Sequence, residues 1–226
     1  MSAPPRGFVL RTPGRMPYEP TWQAMRDFTN RRTADTPDEL WLLEHDPVYT
    51  LGLAGDLRHL LNPTDTPVVK TDRGGQITWH GPGQLVAYVL CDLRRLNLGP
   101  REMVRKIEAS LIATLAGLGI DAERRAGAPG VYVGPAKIAA LGLRIRNGCS
   151  YHGLSLNVNC ELTPFAGINP CGYAGLAVTS LAALGVHTAV EAVGLRLIDA
   201  LQDQFHPPAA SPIMPKASMP HRMTLP

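Results

Sequence analysis

No stretch of this chain approaches the roughly 18 consecutive apolar residues that a membrane-crossing helix needs, so a protein built on such helices is excluded. The first residues are small or proline and contain no apolar core of a secretory signal; a soluble, cytoplasmic protein is expected. Cysteine is scarce, at positions 91, 149, 160 and 171, with no CxxC pair. A chain of this length does not need disulfides to fold, so all four are expected as reduced thiols. The last three stand eleven residues apart, which is too long a spacing for a zinc site. No run of five like charges occurs, and the pairs Arg31-Arg32, Arg94-Arg95 and Arg124-Arg125 fall short of the dense basic stripe of a nucleic-acid binder. GxxxxGK[ST] and GxGxxG are both absent, which excludes the P-loop and the dinucleotide fingerprint. No internal repeat is present.

What remains is a globular composition. Apolar residues make up 45% of the 226, enough for one full-sized core. Twenty-two glycines and 21 prolines predict many turns. The net charge of +3 is mild and compatible with a basic surface for an acidic protein partner.

Apolar spacing predicts a short strand at Phe8 to Arg11 and a helix within Pro17 to Arg32, then strands at Asp38 to Glu44 and Val48 to Leu51 separated by His45-Asp46-Pro47. The stretch 55–67 is polar and turn-rich. Val68 to Lys70, Gln76 to His80 and Leu85 to Leu90 are further strand candidates. Met103, Ile107, Leu111 and Leu115 predict a helix over Arg101 to Leu118, stopped by Gly119. Pro129 to Val133 predicts a strand, Lys137 to Arg146 an extended pair, and Leu154 to Val158 another strand. Phe165 to Gly172 is expected as a loop. Val190, Val193, Leu197 and Leu201 predict a final helix within 188–204. The fold class is α+β, or α/β with a mixed sheet. Residues 1–7 are expected to be a disordered N-terminus, 8–205 one domain, and 206–226 a flexible Pro-rich tail.

Three segments contain chemistry. In Asp72 to Gln84, paired glycines let backbone approach a ligand, Arg73 could orient an anion or carbonyl, and His80 could move a proton. A pair of hairpin turns without a ligand would look the same. Lys137 stands alone among small and apolar residues, a setting that strips an ammonium of water, although a lysine on a strand surface has similar neighbours. Cys171, between Pro170 and Gly172, is a thiol on a sharp turn, either a nucleophile or an inert buried group. By residue type alone His80 and His152 are equal candidates for a base, and His187 is expected to be structural.

Taken together, RGGQITWHGPGQ (73–84), GPAKIAALGLR (134–144), CSYHGLSLNVN (149–159) and FAGINPCG (165–172) resemble the octanoyl-carrier-protein:protein octanoyltransferases of lipoate biosynthesis. The segment LEHDPVYTLG (43–52) also resembles that family's N-terminal signature, and the resemblance spans about residues 40–200. One departure is Leu53, where the family often has arginine after the glycine. The resemblance implies a single domain akin to the catalytic domains of lipoate and biotin ligases. It implies that Cys171 is the nucleophile that holds the acyl group as a thioester. Lys137 would stabilise the thiolate by charge and act as general acid and base. Substrate-binding positions would be Arg73, Gly74, Gly75, Gln76, Ile77, Thr78, Trp79 and His80, with Ala140, Leu141, Gly142, Gly153, Leu154 and Ser155.

The donor so implied is octanoyl-acyl carrier protein, whose phosphopantetheine arm presents the thioester. The acceptors are lysines of lipoyl domains, in 2-oxoacid dehydrogenase E2 subunits and the glycine cleavage H protein. A thioester is already activated, so neither ATP nor a metal is expected as cofactor. No nucleic acid or membrane partner is expected, and the protein is expected to act as a monomer. Backbone N–H groups near Cys171 and Lys137 are candidates for an oxyanion hole, and Arg58, Arg73, Arg94, Arg95, Arg144 and Arg146 for a basic docking rim, with Arg73 and Arg144 nearest the pocket. An ATP-dependent ligase, a transferase between two lipoyl-bearing proteins, and a binding module without activity are the rivals. A ligase has no use for the cysteine, and a binder needs neither Cys171 nor Lys137.

Overall fold

The computed structural model describes residues 7–62, 65–170 and 175–207. Cys171, most of the expected tail and all but the last residue of the expected N-terminal segment lie outside the described residues.

Among the described residues, ten strands form two sheets and four α-helices pack with them. Strand β1 (Phe8–Met16) leads through α1 (Tyr18–Arg31) to β2 (Asp38–His45), which pairs parallel with β1. β3 (Val48–Leu51), β4 (Val68–Lys70) and β5 (Ile77–His80) make a small sheet in the order β4-β3-β5. β6 (Gln84–Leu90), β7 (Glu123–Arg125), β8 (Ala128–Val133), β9 (Ala136–Arg146) and β10 (Cys149–Asn157) complete the large sheet, β1-β2-β6-β10-β9-β8-β7. All its neighbours after β1–β2 are antiparallel, so the sheet is mixed, as expected from the sequence. α2 (Pro100–Ala116), the short α3 (Thr163–Ala166) and α4 (Val190–Phe205) are the remaining helices.

The large sheet is covered on both faces, which is why β6 is buried at every position. Leu85, Ala87 and Val89 face α2 and α4 in the main core, which takes in the Met103, Ile107, Leu111, Leu115 stripe and the Val193, Leu197, Leu201 stripe. Val86, Tyr88 and Leu90 face the other way, with Met25 of α1. A third cluster, around Tyr49, Trp79 and Phe165, packs on the small sheet. The candidate site lies on the α1 face, between the two sheets.

Three expectations are corrected. Lys137 to Arg146 belongs to one strand, the eleven-residue β9, and is not an extended pair, because Gly142 continues the ladder opposite Gly153 instead of turning the chain. Glu123 to Arg125 and Cys149 to Gly153 were not among the expected strands, and they form β7 and the first half of β10. Phe165 and Ala166, at the start of the expected loop Phe165 to Gly172, are the last residues of the one-turn helix α3. α2 ends at Ala116, slightly before the expected stop. Gly119 takes the left-handed turn (φ +78°) that lets the Ile120 N–H return to the Leu115 carbonyl.

Leu197 and Leu111 are fully buried between α4, α2 and the sheet. Either replacement by alanine is expected to lower unfolding free energy by about 2–5 kcal/mol. Urea melts check this, and a loss below about 1 kcal/mol would mean that the two helices pack loosely.

Candidate active site

Side chains of β6, β10 and β9 that share a face are fixed by register. Across the sheet they form the rows Gln84–Asn157, Val86–Ser155–Ala140 and Tyr88–Gly153–Gly142. On β10 and β9 these positions are small, so the face is recessed into a trough floored by Ala140, Gly142, Gly153 and Ser155. Leu154, Leu141, Ile138, Phe165 and Val178 add apolar lining. Gly153 can be nothing larger: a Cβ there would lie 2.0 Å from the Ala87 carbonyl oxygen.

Lys137 stands beside Ile138 at one end of the trough and is 4% exposed. Its Nζ donates to the Pro129 carbonyl at 3.0 Å and lies 5.2 Å from the centre of the Tyr132 ring. Gly130 makes room for it, since a Cβ on that residue (φ +137°) would meet Lys137 Cε at 2.8 Å. The backbone around Lys137 is held by 177–179: its N–H donates to the Ala177 carbonyl at 2.8 Å, and its carbonyl accepts from Thr179 N–H at 3.0 Å. The Lys137 N–H is therefore committed to Ala177. On the other side, Leu61 N–H donates to the Gly167 carbonyl and Asn169 N–H to the His59 carbonyl. Pro170 and Val178, which flank the segment containing Cys171, both line the trough that holds Lys137.

The wall facing the floor is polar and comes from α1, β2, β5 and β6. His45 donates through Nδ1 to the Met16 carbonyl at 2.8 Å, which leaves Nε2 to accept from Tyr88 at 2.6 Å. His80 donates through Nδ1 to Gln84 Oε1 at 2.7 Å, since the Gln84 amide nitrogen is occupied in donating to Asn157 and Trp79. Asn157 in turn donates to the Thr179 carbonyl, so His80 is linked through two amides to the strand segment that holds Lys137. His152 donates through Nε2 to Asp72 at 2.9 Å from a left-handed backbone (φ +61°) inside β10, a conformation that costs of order 1–3 kcal/mol. Burial lowers the pKa of all three histidines, His45 to about 4 and His80 to about 3. They are neutral hydrogen-bonding groups, each holding one ring nitrogen on a fixed partner. Asp72 is partly buried, which would raise its pKa, but hydrogen bonds from His152, Tyr151 and Trp22 outweigh this and hold it well below the usual carboxylate range.

Of the expected substrate-binding positions, Arg73, Gly75, Gln76, Ile77, Thr78 and His80 line the trough, as do all six on β9 and β10. Gly74 and Trp79 do not. Gly74 spends its N–H on the Leu143 carbonyl. Trp79 lies on the opposite face of β5, against Phe165. Arg73 is 7% exposed and donates to the Thr50 hydroxyl and carbonyl and to the carbonyls of Gly74 and Gln76. It braces the loop and cannot form part of a basic rim. Arg58, Arg94 and Arg95 are paired with Asp56, Asp92 and Asp38. Arg144 and Arg146 are exposed on β9 and make no ion pair among the described residues. Sequence reasoning missed Tyr18, His45, Asp72, Tyr88 and Gly130. The cluster LEHD was visible as a motif, but nothing in it showed that His45 would meet Tyr88. Cys91, Cys149 and Cys160 are unpaired and buried, and burial raises each thiol's pKa, Cys160 to about 12, so none of them is a nucleophile at neutral pH. Among the described residues no group of His, Cys, Asp and Glu could hold a metal ion, and no helix is long and apolar enough to cross a membrane.

The fold is that of the lipoate and biotin ligases. Lipoate-protein ligase A bound with ATP superposes with a TM-score of 0.73 at 16% identity, over 88% of this chain and 86% of that one. A bipartite lipoate protein ligase from Thermoplasma acidophilum gives 0.70 at 17%, over 89% and 84%, and the biotin protein ligase of Aquifex aeolicus 0.52 at 12%, over 88% and 68%. Residues 17–202 match the model of the lipoyl protein ligase A/B catalytic domain, which defines the class. Within that class, the octanoyltransferase of Thiobacillus denitrificans is 60% identical over 88% of this chain and 91% of its own length. That of Laribacter hongkongensis is 60% identical over 88% and 96%. The chain belongs to the octanoyltransferase family and is an acyltransferase.

The neutral histidines imply a pH-dependent stability. Their folded pKa values lie below the unfolded value near 6.5, so below that pH the unfolded chain binds more protons. Stability is full above about 6.5 and falls with pH until the folded values near 3–4 are reached. At pH 5 each histidine that excludes its proton costs about 2 kcal/mol. Melting temperature is expected to drop between pH 7 and pH 5 in scanning calorimetry. A flat profile over that range would show that these rings are charged in the native protein.

Proposed function

We propose that the protein transfers an octanoyl group from acyl carrier protein to a lysine of lipoyl domains, by way of a thioester on Cys171. The observation that carries this reading is the convergence, in a member of the octanoyltransferase family, of Lys137 and both described flanks of the Cys171 segment on one recessed trough. The trough floor is small and largely apolar, which suits an alkyl chain, and Lys137 is a buried amine at its end.

In the first half-reaction the Cys171 thiolate attacks the carbonyl carbon of the donor thioester. The tetrahedral intermediate collapses, the C–S bond to phosphopantetheine breaks, and Lys137 gives a proton to the departing thiol. In the second, an acceptor lysine attacks the acyl-enzyme, Lys137 takes the proton from its nitrogen, and the Cys171 thiolate leaves behind an amide. The thioester brings its own activation, so ATP has no step to drive. The acceptors are the lipoyl domains of 2-oxoacid dehydrogenase E2 subunits and the glycine cleavage H protein, the compartment is the cytoplasm, and the working unit is a monomer. Arg144 and Arg146 are the exposed cations best suited to steer an acidic partner.

Mixing the protein with octanoyl-acyl carrier protein in the absence of ATP is expected to add one octanoyl group, labile to hydroxylamine, in intact-mass spectra. Cys171→Ala should form none, and a Cys171→Ala protein with full transfer activity would sink the mechanism. Lys137→Ala is expected to lower kcat more than it changes KM, because the amine acts at the transition state. Lys137→Arg keeps the charge but cannot shuttle a proton, so it should fail to restore kcat.

Both protein substrates must reach the same trough in turn. Double-reciprocal plots are expected to be parallel, with kcat/KM falling as salt rises. Intersecting lines would mean that donor and acceptor bind together.

A further inference from the structure

Glu108 lies on α2, one position past Ile107 of the apolar stripe, and is 5% exposed. Burying a carboxylate is costly unless a positive group answers it. Among the described residues Glu108 makes no ion pair, and its Oε1 accepts from the Gly130 N–H at 3.1 Å. That N–H belongs to the peptide unit whose other end is the Pro129 carbonyl, and this carbonyl accepts from Lys137 Nζ at 3.0 Å. No described peptide bond is cis, so the C=O and N–H of this planar unit point in opposite directions. One peptide is thus clamped between an ammonium on its oxygen side and a carboxylate on its hydrogen side. The two hydrogen bonds and the width of the unit together put Nζ and Oε1 within about 9 Å of each other.

We infer that Glu108 is a positioning residue for the acyl transfer: through the Pro129–Gly130 peptide its charge fixes the Lys137 ammonium at the end of the trough. The inference rests on the acyl-transfer reading, which gives Lys137 its task. The dipole of the clamped peptide is aligned favourably with both charges, and each hydrogen bond polarises the unit in the direction that strengthens the other. The Tyr132 ring, 5.2 Å from Nζ, also carries the Arg125 guanidinium at 4.4 Å, so its support is shared between two cations. Glu108 does not line the trough; α2 packs in the main core, on the other face of the large sheet. It therefore acts on Lys137 from behind and touches no substrate. From there its negative charge attracts the ammonium more than it repels a thiolate on the trough side, which stands farther off.

The test separates charge from shape. Glu108→Gln keeps an oxygen acceptor for the Gly130 N–H and removes the charge. It is expected to slow both the alkylation of Cys171 by iodoacetamide near neutral pH and kcat for acyl transfer by about tenfold, the scale of one unit charge lost within about 9 Å. KM should change by less than about twofold. In a Lys137→Met background the same substitution should have no further effect on alkylation. A folded Glu108→Gln protein with wild-type alkylation and kcat overturns the inference, and so does a loss that persists undiminished in Lys137→Met. A second readout leaves position 108 untouched. The Gly130 amide proton is expected to move upfield in NMR spectra of Lys137→Met, because the peptide loses the ammonium on its oxygen. An unmoved Gly130 resonance overturns the coupling even if Glu108→Gln fails to fold. If Lys137→Met is alkylated and turns over as fast as wild type, it is the acyl-transfer reading that fails, and the Gly130 resonance then decides the clamp by itself.

Discussion

Asp72 accepts hydrogen bonds from three side chains on two elements: Trp22 of α1, and Tyr151 and His152 of β10. Charge-assisted bonds of this kind are roughly twice as strong as neutral ones, and here three converge on one carboxylate. The loop after β4 has no sheet partner of its own at this point. Without Asp72 it would be held to the large sheet chiefly by the Gly74–Leu143 bond. With it, Arg73 is delivered to Thr50 and Gln76, and the small sheet is locked over the large one. The left-handed backbone of His152 fits this account, because the strain turns the ring toward Asp72 within an otherwise regular strand. The same interaction thus shapes the trough.

The trough has two unlike sides. Small residues of β9 and β10 give the floor its depth, while Tyr18, His80, Tyr88 and His152 form a polar wall whose groups mostly satisfy one another. The exception is the Tyr18 hydroxyl, which is buried, faces Thr71 and makes no hydrogen bond of ordinary geometry. Desolvation keeps that phenol protonated, with a pKa of about 12. A neutral, mostly self-satisfied wall suits an uncharged chain, and the Arg73 guanidinium that also lines the trough is already held by Thr50, Gly74 and Gln76.

Much of the fold was legible in the sequence because the relevant signals are local. The four-residue steps of Met103, Ile107, Leu111 and Leu115, and the run from Val190 to Leu201, reported helices whose burial needs only one apolar face. Val48 to Leu51 was bounded by Pro47 and Gly52 and was read to the residue. β7 was not legible, since Glu123, Arg124 and Arg125 hold an edge position with no apolar alternation. Gly142 hid the continuity of β9, because whether a glycine turns a chain or admits a neighbouring loop depends on residues seventy positions away. The site was legible through motif resemblance rather than residue type. Lys137 on its own looked like a surface lysine, and its 4% exposure follows from Tyr132, Pro129 and Gly130, which were not flagged. Arg73 was a candidate for the basic rim nearest the pocket because it lies in a block of the family resemblance, and four backbone and hydroxyl partners take it inside instead.

The chain on either side of Cys171 is fastened to different parts of the molecule. Upstream, Gly167 and Asn169 are bonded to residues 59–62 beside the small sheet; downstream, Ala177 and Thr179 are bonded to Lys137 in the large one. The stretch between the two fastenings is therefore a bridge of set contour length between sheets that are themselves locked together. An inserted or deleted residue would change the length of chain between two fixed ends. Natural variation in this segment should accordingly consist of exchanges of side chain with the residue count held constant, even where the polar stretch 55–67 varies in length.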